Sequence, residues 1–187
     1  MNFKLAKRRS ITTVAATLGA VAALVAVPAN AHADSSLGTF KIQNSGWTGG
    51  TGKAMCLWGA GGNGARSYIQ QCSNDAHDKW TFYPEGGGGA SGSWYELVNV
   101  ATGLCLDADA NNLTGGAAVQ AWGCNQSYQQ RWRFTPRTNY YQRVANLAAD
   151  AANKWTNDRF YLDMDGTYQR LWSSDSSDNQ FWSMFPV

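Results

Sequence analysis

The chain is poor in the side chains that carry most catalysis and metal binding: two histidines and four cysteines in 187 residues. No Cys-x-x-Cys pair occurs, and the only histidine near the cysteines is His77, so a zinc site is not expected. No Gly-x-Ser-x-Gly elbow occurs either, and Ser-His-Asp chemistry would have to use His77, in a hydrophilic stretch. Charged residues make up only 15% of the chain. No basic cluster lies beyond the first nine residues, so nucleic acid is not an expected partner. Helical apolar spacing is nearly absent after residue 33; the one candidate is ANLAADAANKW at 145–155. Calcium loops fail as well. DADANN (107–112) starts like an EF-hand, but Asn112 stands where glycine is needed and Ala118 where glutamate is. DMDG (163–166) has its glycine too early. No metal and no cofactor is expected.

The one long apolar run lies at the start. Lys4, Lys7, Arg8 and Arg9 precede an apolar stretch from Ile11 to Val27, and small-x-small sites follow, ending at Ala31 or Ala33. This is the layout of a secretory signal peptide over 1–33, so the protein is expected to be extracellular, with no membrane attachment after cleavage. Cleavage after Ala33 leaves 154 residues (34–187), the length of one domain. They hold eleven basic and thirteen acidic residues, so the pI of 8.4 reflects the leader. In an exported chain, Cys56, Cys72, Cys105 and Cys124 suggest two disulfides, with three pairings open.

One phrase recurs. DKWTFYP, QRWRFTP and QFWSMFP place Trp80, Trp132 and Trp182 at intervals of 52 and 50, each followed by any residue, an apolar residue, any residue and proline. Such a period marks a repeat architecture. FKIQN (40–44), YELVN (95–99) and QRVAN (142–146) open the copies, which run over about 38–84, 93–136 and 140–187. CLW (56–58), CLD (105–107) and YLD (161–163) follow. Eight residues before each repeated tryptophan stand Cys72, Cys124 and Ser174, so the third copy has lost both cysteines, at Tyr161 and Ser174. Joint loss supports pairing within repeats, Cys56 with Cys72 and Cys105 with Cys124. The runs are short, alternating or aromatic-rich, and bounded by Gly, Asn and Asp, which reads as all-β. GGGGASG (86–92) is read as a loop and not a domain linker, because one fifty-residue copy could not bury its own apolar face.

Three phased copies, Gln-x-Trp in two of them, and Cys-Leu-Asp ahead of it resemble the ricin B-type lectin domain over about 38–187. The resemblance implies a β-trefoil: a six-stranded barrel capped by three hairpins, with pseudo-threefold symmetry. It casts the repeated tryptophans as shared core and implies a carbohydrate-binding protein without catalytic residues, a monomer whose partners are glycans or polysaccharides. Galactose, or a related pentose such as the xylose of xylan, is the implied sugar.

Sugar recognition needs an aromatic face for the C–H side of the ring and polar groups that read adjacent hydroxyls. The family pattern places the hydroxyl acceptor at Asp107 and the platform at Trp122, beside Gln120, Gln129 and Gln130; the family usually has Asn where Gln129 stands. The third copy aligns Asp163, Arg170, Trp172, Asn179 and Gln180 with these positions. Gln130 and Gln180, next to the repeated tryptophans, are also expected to orient loops. In the first copy Trp58 replaces the aspartate, Gln70 the platform and Tyr68 the glutamine, and Asp78 replaces the glutamine of Gln-x-Trp, so this copy is read as scaffold. Trp155 is read as an anchor of its loop. Two sites on one rigid body would favour polymer over monosaccharide through avidity. The pairs Asp107/Asp109 and Asp163/Asp165 share a strand face as many surface carboxylates do, so no glycosidase is read from them. The alternative is a secreted β-trefoil that binds protein, such as a protease inhibitor, through a loop at 85–93 or 145–158.

Overall fold

The computed structural model of the protein describes residues 36–46, 50, 52–85, 93–154 and 159–187. The expected signal peptide, the glycine run 86–92 and Trp155 lie outside the described residues. Among the described residues there are twelve strands, four per copy. The first copy holds β1 (Gly38–Asn44), β2 (Met55–Trp58), β3 (Tyr68–Gln71) and β4 (Lys79–Glu85). The second holds β5 (Trp94–Asn99), β6 (Cys105–Ala108), β7 (Val119–Trp122) and β8 (Arg131–Pro136). The third holds β9 (Gln142–Asn146), β10 (Phe160–Asp165), β11 (Tyr168–Ser173) and β12 (Trp182–Pro186). A single 3-10 turn precedes the last strand of each copy.

First and last strands form a closed ring: β1 pairs β4, β4 pairs β5, β5 pairs β8, β8 pairs β9, β9 pairs β12, and β12 pairs β1. The middle strands pair as hairpins β2–β3, β6–β7 and β10–β11. The hairpins meet one another through Tyr68↔Tyr168, Arg66↔Gln120 and Ala118↔Arg170. This is the expected β-trefoil. Strands β4 and β5, which flank the glycine run, pair from Trp80↔Asn99 to Glu85↔Trp94, so that run joins two strands of one hairpin.

The core repeats with the sequence. Each copy contributes one residue per strand: Ile42, Leu97 and Val144 from the first, Leu57, Leu106 and Leu162 from the second, Ile69, Ala121 and Leu171 from the third, all buried. Trp80, Trp132 and Trp182, fully buried, come from the fourth. Each indole N–H donates to the carbonyl of the second-strand leucine of its own copy, at Leu57 (3.0 Å), Leu106 (2.8 Å) and Leu162 (3.0 Å). The buried donor is thereby satisfied and the barrel strand is tied to its hairpin.

Asn44, Asn99 and Asn146 join neighbouring copies. Each Oδ1 accepts from the backbone just after its strand, and each Nδ2 donates to the 3-10 turn and last strand of the preceding copy. Asn99 reaches the carbonyls of His77 and Lys79, Asn146 those of Gln129 and Arg131, and Asn44 those of Asn179 and Phe181, which closes the circle. In the third copy the Oδ1 accepts from the N–H groups of Ala148 and Ala149 and starts α1 (Leu147–Ala152), within the 145–155 stretch of helical spacing.

The disulfides pair within copies, Cys56–Cys72 and Cys105–Cys124, as the joint loss in copy three implied. Closing loops of this size is worth ~3 kcal/mol in the chain-entropy model. Copy three uses Arg143 in that place. Its guanidinium lies 5.1 Å from the Tyr161 ring centroid and donates to Ser174 Oγ at 2.6 Å, joining the two positions that lost their cysteines.

Candidate functional site

The second copy carries a cleft of about 400 Å³. Asp107, the third residue of β6, sits opposite Gln120 of β7, and Gln120 Nε2 donates to Asp107 Oδ1 at 3.0 Å. Trp122 ends β7 two residues on and is 40% exposed. Asp107, Gln120, Trp122 and Gln129 all line the cleft, so four of the five positions expected here converge. Asp109, Ala110, Asn111, Asn125 and Ser127 complete the wall. Their loops are set by local bonds: Asp109 Oδ1 accepts from the Asn111 N–H, and Asn125 Oδ1 from the Ser127 N–H. Burial, foremost, pushes the Asp107 carboxyl above the usual range; the amides of Gln120 and Gln130 pull it back, and nearby Asp109 adds to the rise.

Gln130 does not line the cleft. It is fully buried, with Oε1 accepting from the Asn125 N–H at 2.8 Å and Nε2 donating to the Gly123 carbonyl at 3.0 Å. Gln180 does the same in copy three, with the Asp175 N–H (3.2 Å) and the Ser173 carbonyl (2.7 Å). Both therefore orient loops, and their assignment as sugar contacts is corrected: no face of either amide reaches solvent. Asp78 repeats half of the arrangement, accepting from the Ser73 N–H at 2.6 Å, but a carboxylate has no donor for the carbonyl.

The third copy brings Asp163, Arg170 and Trp172 together in the same register, Asp163↔Arg170 and Tyr161↔Trp172. Its arrangement differs. The Arg170 guanidinium lies 4.0 Å from the Trp172 ring centroid, with Nη1 3.2 Å from Asp165 and Nη2 3.8 Å from Asp163. Burial pushes the Asp163 carboxyl up to about 6, Arg170 opposes this, and Asp175 and Asp165 add to it. Asn179 is half-buried, on the 3-10 turn Asp178–Gln180.

A glycine in the left-handed region supports each platform. Gly64, Gly116 and Gly166 occupy equivalent positions before the third strand, with φ of 80°, 92° and 61°. A Cβ on Gly64 would lie 3.6 Å from Trp122 Cζ3, and one on Gly116 3.9 Å from Trp172 Cζ3. Gly166 has nothing within 4 Å; the platform position it would face holds Gln70. In copy one, buried Trp58 is stacked on His77 at 5.5 Å.

In the same copy as the cleft, Glu96 on β5 is fully buried. Glu96 and the sulfurs of Cys105 and Cys124 lie within 4.8 Å of one another, but the sulfurs are bonded together and offer a metal no thiolate. Burial, then the charge of Glu85, pushes the Glu96 carboxyl up to about 7; the Gln126 N–H and the Arg131 guanidinium pull the other way. A carboxyl raised on folding favours its protonated form in the native state. The stability it contributes is full below 4.5 and lost as pH rises through about 7. Glu96→Gln is therefore expected to match the wild type near pH 4 and exceed it by on the order of 2 kcal/mol near pH 8. Urea unfolding at the two pH values measures this; a variant no more stable at the higher pH would contradict it.

Comparison with known proteins agrees with this architecture. The family described as ricin-type beta-trefoil lectin domain-like matches residues 80–157. No curated protein sequence matches. A designed threefold-symmetric protein, ThreeFoil, superposes with a TM-score of 0.64 at 19% identity, covering 80% of this chain and 99% of its own. The exo-β-1,3-galactanase 1,3Gal43A from Clostridium thermocellum gives 0.64 at 21%, covering 82% of this chain and 31% of that one. The Polyporus squamosus lectin, solved with Neu5Aca2-6Galb1-4GlcNAc, gives 0.61 at 16%, covering 80% and 49%. The chain thus spans about a third of that galactanase and about half of that lectin. The resemblance read from the three phased copies is borne out in the matched family and in the fold.

Proposed function

We propose that this chain, a β-trefoil whose residues 80–157 match the ricin-type β-trefoil lectin domain-like family, is a secreted lectin that binds galactose- or xylose-type sugars of glycans and turns nothing over. One observation carries this reading: an exposed indole, Trp122, stands in one cleft with a buried carboxylate, Asp107, and a fringe of amides from Gln120, Gln129, Asn111 and Asn125. The indole offers a flat apolar face to the C–H side of a pyranose. Asp107, its Oδ1 already held by Gln120, presents a fixed acceptor to hydroxyls, and the amides can both donate and accept. Sugars lacking the matched hydroxyl would leave the carboxylate unpaired, which is how such a site discriminates.

The test is retention of the mature protein on immobilised galactose and on insoluble xylan. Retention is expected on at least one, with elution by the matching soluble sugar. Passage through both, and no binding across a wider glycan panel, would discard the reading.

A further inference from the structure

The two copies that carry an aspartate and an indole in register are not two equal sites. In the second copy, Asp107 faces a neutral partner, Gln120, which bonds the carboxylate and leaves the indole alone. Among the described residues, no cation or ring lies over Trp122. In the third copy the same register position holds Arg170. Arg170 and Trp172 are two residues apart on β11, so their side chains leave the same face of the strand. The guanidinium sits 4.0 Å from the indole centroid while reaching Asp165 and Asp163 on β10.

A guanidinium so placed meets the requirements that a sugar ring would meet. It is planar and weakly hydrated, it stacks on the aromatic face, and its N–H groups donate to the carboxylates that hydroxyls would otherwise reach. Resting on the lectin reading above, we propose that Arg170 occupies the third-copy site as a built-in ligand mimic, so that the protein binds sugar at one site per chain and keeps a second site latent.

The latent site keeps its acceptor and its platform, Asp163 and Trp172, in register. Asp163 is 1% exposed, and its Oδ2 is buried without a hydrogen-bond partner, an acceptor left for a hydroxyl. Trp172 has Gly116 beside it, whose Cβ would lie 3.9 Å from Cζ3, as Trp122 has Gly64; a Cβ on the preceding Gly115 would lie 3.5 Å from Cε3 and Cζ3. A sugar entering must unstack Arg170, part it from Asp165 and leave two carboxylates, Asp163 and Asp165, without the cation that faces them. The same crowding of negative charge disfavours an acidic sugar even with the arginine present.

Two measurements test this on the mature chain. By NMR without sugar, Arg170 side-chain protons, identified by their loss in Arg170→Gln, are expected upfield-shifted by the Trp172 ring current. Arginine protons at random-coil positions would overturn the proposal whatever the protein binds. By titration calorimetry with galactose and with xylose, the wild type is expected to take one sugar per chain and Arg170→Gln two, the new site within about tenfold of the first in affinity. Asp107→Ala should take none, and Asp107→Ala with Arg170→Gln one. A wild type with two sites, or an Arg170→Gln that gains none while the wild type binds, would overturn it. Binding of neither sugar by the wild type, with the ring-current shift present, would count against the lectin reading and leave the stacked arginine established.

Discussion

Replacing Asp107 with alanine is expected to abolish retention on the sugar matrix, a loss of a hundredfold or more in affinity, with the fold intact. The magnitude follows from what the carboxylate does. A hydrogen bond to a charged group is worth roughly 1.5–3 kcal/mol, and a carboxylate that reads two adjacent hydroxyls loses both together, so about 3 kcal/mol is the lower bound. At 1.4 kcal/mol per decade this exceeds a hundredfold. Stability should not fall in step. Burial raises the Asp107 carboxyl, so the charged form is disfavoured by folding, and whatever stability the protonated form brings is already being lost as pH rises through that raised value. Removing the carboxylate relieves this strain while freeing Gln120 Nε2, and the two effects oppose. Asp107→Asn keeps the shape and the Gln120 neighbour but loses the charge, and should bind with an intermediate deficit. Calorimetry and urea unfolding at pH 7 measure both quantities. Undiminished binding in the alanine variant would remove Asp107 from the site; loss of binding with loss of near-UV structure in both variants would show a structural role instead.

The sequence carried the scaffold and half of the site, for reasons visible in particular residues. The tryptophan phrase is local and repeats three times, so its common role could be read without coordinates. Asp107, Gln120 and Trp122 fall on one hairpin, thirteen to fifteen residues apart, and strand register alone places them together. The disulfides were legible through Tyr161 and Ser174, where both partners vanish at once. Asn111, Asn125 and Ser127 were not legible, because they reach the cleft along loops whose path depends on Asp109 and Asn125 bonding their own backbone. The clasp made by Asn44, Asn99 and Asn146 was visible as a repeated letter, but its partners belong to the neighbouring copy. Arg170 both stacks on Trp172 and reaches Asp163 and Asp165, and no spacing encodes that placement. Gln130 and Gln180 had two roles open in the sequence, and burial decides for the loop-orienting one.

Trp132→Ala is the largest stability loss expected, and it separates the two kinds of tryptophan in this chain. Trp132 is fully buried in the shared core, and its indole N–H holds the Leu106 carbonyl at 2.8 Å. Truncating a core tryptophan costs about 3–5 kcal/mol in transfer and cavity terms, and the orphaned carbonyl adds roughly 1 kcal/mol. Since domains hold only about 5–15 kcal/mol in all, the variant should lose a third or more of its stability, a fall in Tm on the order of 10–20 °C. Leu106 immediately precedes Asp107, so loosening this bond releases the strand that presents the acceptor, and sugar binding should weaken together with the fold. Trp122→Ala is the contrast. It removes an indole that is 40% exposed, so unfolding should shift by less than about 1 kcal/mol while retention fails. Thermal and urea unfolding, run beside retention on the same matrix, distinguish the cases. Equal destabilisation by the two substitutions would mean that Trp122 is core and not platform.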